Sequence, residues 1–129
     1  MFKITMKYTD YNGNERNEDL YFNLTEAELM KLNFTLKGGI EETIKRIMSE
    51  YDTEGFYNLF EKLILTAYGV KSEDGRTFEK SSELSTKFSQ TEAYSQLVMG
   101  FINNPDSFNE FVRKLAPKKA QNNVISMPT

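Results

Sequence analysis

The chain has no cysteine, no histidine and no tryptophan, and only three prolines in 129 residues. Without thiols there is no disulfide framework, and nothing points to an oxidising compartment. Without imidazole the commonest general base, the histidine-activated nucleophile and the usual transition-metal ligand all disappear. Losing both excludes a structural zinc site. The expectation is a protein that is not an enzyme and carries no cofactor or metal. No stretch approaches the roughly 20 apolar residues of a membrane span, and the opening Phe2-Lys3-Ile4-Thr5 alternates as a strand rather than as a signal peptide. A soluble, cytoplasmic protein is therefore expected. A basic stripe is also missing. With 16 basic and 19 acidic residues the net charge is -3, which disfavours binding to a phosphate backbone. Arg113, Lys114, Lys118 and Lys119 form one local basic cluster, placed where a helix C-terminus favours cations.

What is present suits one core. Hydrophobic residues make up 39% of the chain and aromatic residues 13%, enough to argue against global disorder in a chain the size of one ordinary domain. Phe2, Ile4, Met6 and Tyr8 alternate with polar residues, as do Leu20, Phe22 and Leu24, giving two half-buried strands. A two-residue Asn12-Gly13 turn would set even positions against odd ones and split the apolar face. A three-residue loop of Tyr11, Asn12 and Gly13 instead sets Ile4 opposite Leu20 and Phe2 opposite Phe22, with Gly13 supplying the left-handed residue. Such a ribbon is marginal alone and needs helices, or another chain, against its apolar face.

Helical patterns follow. Thr25 and Glu28 form a capping box opening a helix to about Phe34, with Leu29, Met30, Leu32 and Phe34 as its apolar positions. Lys37-Gly38-Gly39 breaks the chain before a second helix carrying Ile40, Thr43, Ile44, Ile47, Met48 and Tyr51. Asp52 or Thr53 caps a third, whose Phe56, Leu59, Phe60, Leu63, Ile64 and Ala67 make a wide apolar face that Gly69 is expected to stop. Asp74-Gly75 marks a turn, and the flanking Val70 and Phe78 either dock it or form a short extended pair. Ser81 or Ser82, Thr91, and Pro105 or Asp106 then open three more helices, the last expected to stop at Pro117. The predicted fold is α+β, an N-terminal β-hairpin followed by a bundle of about five or six helices. Residues 1–117 read as a single domain, and residues 118–129, polar and aperiodic, as a flexible C-terminal tail or an arm that orders on a partner.

Three clusters could imitate a chemical site. Glu50, Asp52 and Glu54 lack calcium-loop spacing and suit helix ends better. Lys37-Gly38-Gly39-Ile40 lacks both nucleotide-loop patterns and reads as a flexible connection. Glu73, Asp74 and Arg76 lie in a glycine turn, where exposure leaves carboxylates untuned for acid–base work. The aromatic residues point elsewhere, to protein contacts. Tyr11 at the hairpin tip and Tyr21 on the face opposite Phe22 are the expected exposed contacts.

Residues Leu63 to Phe78 read Leu-Ile-Leu-Thr-Ala-Tyr-Gly-Val-Lys-Ser-Glu-Asp-Gly-Arg-Thr-Phe, followed by Lys80-Ser81, Phe88, Gln90-Thr91-Glu92-Ala93-Tyr94 and a closing helix. This order resembles the tail assembly chaperones of long-tailed, siphophage-type bacteriophages, over roughly residues 56 to 117. The resemblance implies a non-enzymatic protein that coats the helical tape measure protein and recruits tail tube subunits, with self-association into a homo-oligomer as an option. It places the protein in the cytoplasm of the infected bacterial host. The rival expectations are a structural virion accessory subunit of tail or head, anchored through Val124, Ile125 and Met127 of its C-terminal arm, and a small host-directed interaction protein.

Overall fold

A computed structural model describes residues 1–115 of the chain. The hairpin comprises β1 (Phe2–Thr9) and β2 (Glu15–Phe22), paired as Phe2↔Phe22 and Ile4↔Leu20, the register that keeps the apolar residues on one face. Asp10 and Asn14 close the three-residue loop through the Asp10 N–H to Asn14 carbonyl bond of 2.9 Å, and Gly13 takes φ +82°.

Six helices follow: α1 (Glu26–Thr35), α2 (Gly39–Glu50), α3 (Thr53–Ala67), α4 (Ser82–Ser89), α5 (Glu92–Asn103) and α6 (Pro105–Leu115). Four of the starts are set by side chains that satisfy otherwise orphaned N–H groups. Thr25 and Glu28 make the reciprocal capping box of α1, Asp52 Oδ1 accepts from Gly55 N–H at α3, Ser81 caps α4 and Thr91 caps α5.

Between α3 and α4 lie β3 (Tyr68–Lys71) and β4 (Phe78–Glu79), which extend the hairpin into a four-stranded antiparallel sheet of order β1-β2-β3-β4. The extended pair is therefore what forms here, Val70 opposite Glu79 and Lys71 opposite Phe78. Gly69 is not a left-handed helix stop. It pairs with Tyr21 in the sheet, and a Cβ built on it would stand 2.5 Å from the Phe78 ring and 2.8 Å from the Glu79 carbonyl oxygen. Its glycine is required by close approach of the next strand.

The core lies between the inner face of the sheet and the helices. Phe22, Phe60, Phe108 and Phe111 are completely or almost completely buried, and Phe22 packs its ring against Tyr68, Phe88 and Phe111 with centroids 5.5 to 5.9 Å apart. Tilted and edge-on contacts of this kind add to the burial of ring area. Helix α3 is central, with Leu59, Phe60, Leu63, Ile64 and Ala67 all buried.

Three expected core positions are instead at the surface. Helix α1 buries Leu29 and Leu32 but exposes Met30 and Phe34, the latter 81% exposed, because only one side of this helix meets the body. Tyr51 lies just beyond α2 in a left-handed conformation, φ +52°, with its ring 90% exposed.

Candidate partner-binding surface

The hairpin has two unlike halves. Near the body Leu20 and Phe22 are buried and Phe2 and Ile4 pack on the core. Tyr8 still packs against the core and Gln96 Nε2 of α5 donates to the Lys7 carbonyl at 2.9 Å; beyond them the ribbon leaves the helices, and residues 11–19 are exposed on both faces. This outer half is strongly polar: Asp10, Glu15, Glu18 and Asp19 carry four carboxylates against the cations of Lys7 and Arg16.

Its tip is held by one side chain. Asp10 Oδ1 accepts from the Asn12 and Asn14 N–H groups, both at 2.9 Å, and Oδ2 accepts from Arg16 Nε at 2.8 Å. The Arg16 hydrogen bond, joined by that of Asn14, holds the Asp10 carboxyl below its ordinary range. Further in, the Tyr8 hydroxyl donates to Glu18, and that bond to a carboxylate pushes the phenol up to about 12. Tyr11, 74% exposed, thus projects from a loop whose backbone is already ordered. Such a side chain loses little conformational freedom on meeting a partner.

Tyr21 lies on the outer face of the sheet as expected, but it is half-buried, with Lys71 Nζ 5.7 Å from its ring centroid and Gly69 paired opposite. Tyr11 and Tyr21 therefore do not form one patch: one stands free at the tip, the other helps to cover the sheet beside β3. Val124, Ile125 and Met127, and the boundary between residues 117 and 118, lie outside the described residues.

Composition and spacing do not pick out the exposed apolar residues on the helices. Ala27, Met30 and Phe34 recur along the outer side of α1, and all three are exposed. Met48 and Tyr51 rim a hollow of about 220 Å³ lined also by Ile47, Phe56, Ile102 and Pro105, where α2 ends against the α5–α6 connection. A sequence signal exists for Met30 and Phe34: four residues apart, they share a face of α1 out of step with Leu29 and Leu32. The clusters weighed from sequence settle as structural parts. Asp52 caps α3, Asp74 Oδ1 accepts from Ser72 Oγ and Arg76 N–H within an exposed turn, and Gly38 and Gly39, both at positive φ, make the bend into α2.

A wide polar cleft of about 700 Å³ runs between α3 and α4, edged by Glu28 and Lys80. Lys80 Nζ donates to the Asn23 carbonyl at 2.6 Å and to Glu28 Oε1 at 2.7 Å, tying the end of β2 and the start of α1 to the loop before α4. Burial raises the Glu28 pKa, but the Lys80 ammonium and the Thr25 N–H outweigh it, and the carboxyl is held below its usual value. Its polar groups are thereby engaged in joining elements.

Among the described residues no helix is long and apolar enough to cross a membrane. Comparison with curated proteins and with solved structures returns no match to this chain. A family model described as phage tail assembly chaperone matches residues 1–127, so the match takes in the hairpin and most of the residues after α6 as well as the segment from 56 to 117. The chain, an α+β body with a projecting polar hairpin, belongs to the phage tail assembly chaperone family.

Proposed function

We propose that the protein is a non-enzymatic assembly chaperone that binds the tape measure protein and recruits tail tube subunits during tail morphogenesis, acting in the cytoplasm of the infected bacterial host. The observation that carries this reading is the family match over residues 1–127. The surface is compatible with it: aromatic and methionine side chains stand exposed on a body whose polar clusters serve caps, turns and element junctions. A client with a long apolar helical surface needs aromatic contacts and a soluble partner to cover it. Tyr11 is the foremost contact residue in this reading, with Tyr21 at the margin of the same sheet, and several copies act along one client.

Co-expression with the tape measure protein of the same phage is the direct test. The expected result is a soluble tape measure protein that co-purifies with this chain; a tape measure protein that stays insoluble and unbound overturns the reading.

A further inference from the structure

Where the hairpin passes α4 and the start of α5, its inner face borders a hollow of about 230 Å³. Tyr8, Leu20, Tyr68, Leu84, Phe88 and Ala93 give it an apolar and largely aromatic lining. Tyr68 and Phe88 are stacked, with centroids 4.2 Å apart and planes 5° from parallel. Three polar side chains also line it: Glu18, Lys87 and Thr91. Thr91 is engaged in the cap of α5, where its hydroxyl donates to the Phe88 carbonyl at 2.7 Å and accepts from the Tyr94 N–H at 3.1 Å. Lys87 is exposed, and its Nζ stands 4.0 Å from Glu83 Oε1. Arg16, two residues from Glu18 on the same face of the ribbon, is bound to Asp10. Glu18 therefore has no ion-pair partner among the described residues. The Tyr8 hydroxyl bonds its Oε1, which leaves Oε2 able to accept. Its charge reaches the lining: burial first, and then the Glu18 carboxylate, hold the Tyr68 phenol above its ordinary value.

We propose that this hollow receives one arginine side chain of a protein partner. Size sets the first limit. The space is smaller than the roughly 300–1,000 Å³ of an ordinary small-molecule site and suits a single side chain. Chemistry sets the second. An aliphatic stem finds apolar surface on Leu20 and Leu84, while a cation at its end finds tyrosine rings and the unpaired carboxylate of Glu18. Arginine meets this combination better than lysine, because its planar and weakly hydrated guanidinium stacks on a ring while its edge donates to an oxygen. The field around the hollow has the matching sign. Asp10, Glu15, Glu18 and Asp19 outnumber Lys7 and Arg16 on the adjoining ribbon, which draws a cation toward it. The inference names a side chain rather than a protein, so it stands or falls apart from the tape measure reading.

A capped amino acid tests it. N-acetyl-arginine methylamide is titrated into the full chain at constant ionic strength, and the ring resonances of Tyr8 and Tyr68 are followed by NMR. The expected result is a saturable shift at both rings with a dissociation constant on the order of 10 mM, as for so small a probe making one charged and one stacked contact. N-acetyl-citrulline methylamide, which keeps the shape and loses the charge, should bind at least about tenfold more weakly. Glu18→Gln should weaken the arginine probe by a similar factor; the exposed Gln still accepts from the Tyr8 hydroxyl, so the body stays folded. Tyr8→Leu, which keeps an apolar wall and removes the ring, should weaken it about threefold. Equal binding of the citrulline probe, undiminished binding in E18Q, or shifts no larger than those at the exposed Tyr11 and Tyr51 would each overturn the site. Free arginine binding at least about tenfold more tightly than the capped residue would make this a small-molecule site and overturn the protein partner.

Discussion

The two halves of the hairpin share one register and one backbone geometry, yet only one of them belongs to the core. Near the body Phe2, Ile4, Tyr8, Leu20 and Phe22 face the helices; from Thr9 to Asn17 the ribbon carries carboxylates, amides and a single tyrosine at its tip. Its inner half is ordered by packing, its outer half by hydrogen bonds centred on Asp10. The difference teaches that packing and exposed hydrogen-bonded order are separable along a single element; if the tip makes the proposed partner contact, substitutions should divide the same way.

The sharpest attack on the packed half is Phe22→Ala. It removes a ring with no exposed surface and three aromatic neighbours, and should cost about 3–5 kcal/mol, read as a lowered denaturant midpoint with unchanged slope. Gly69→Ala comes next. The added Cβ meets a backbone carbonyl that cannot simply rotate away, so about 1–3 kcal/mol is expected, with loss of the β3–β4 pairing seen by amide exchange.

Lys80→Met removes two charge-assisted bonds at the junction of β2, α1 and α4 and should cost about 1.5–3 kcal/mol at neutral pH. Its sign with pH follows from Glu28. Because the folded carboxyl is held below its ordinary 4.5, it favours the folded state fully above that pH and loses this contribution as acid protonates it. The gap between wild type and K80M should narrow below about pH 4.5, measured by urea unfolding at several pH values. Tyr51→Gly works in the opposite direction: relieving a left-handed tyrosine should stabilise the protein by about 1 kcal/mol, since the exposed ring has little packing to lose.

Much of this architecture is legible in the chain itself. The choice of a three-residue loop over Asn12-Gly13 follows from keeping Ile4 and Leu20 on one face, and Thr25, Asp52, Ser81 and Thr91 each stand where a helix start requires an acceptor. What stays hidden depends on long-range contacts. The four residues of β3 are too few to show a period, so the addition of Tyr68–Lys71 to the free edge of β2 depends on tertiary pairing that no local pattern records. Gly69 looks like a helix terminator until Phe78 is seen lying over it. Phe34 and Tyr51 look like core because apolar spacing cannot tell a buried face from an uncovered one. The candidate surface is legible only in part: a tyrosine at a hairpin tip must be exposed, but whether Tyr21 is free depends on Lys71, fifty residues away.

Tyr11→Ser measures the separation most directly, with thermal unfolding and capture of the tape measure protein followed on the same sample. The account predicts an unfolding midpoint equivalent to within about 0.5 kcal/mol of wild type, together with capture weakened at least about tenfold. Undiminished capture, or a loss of capture that comes with unfolding of the body, would contradict it.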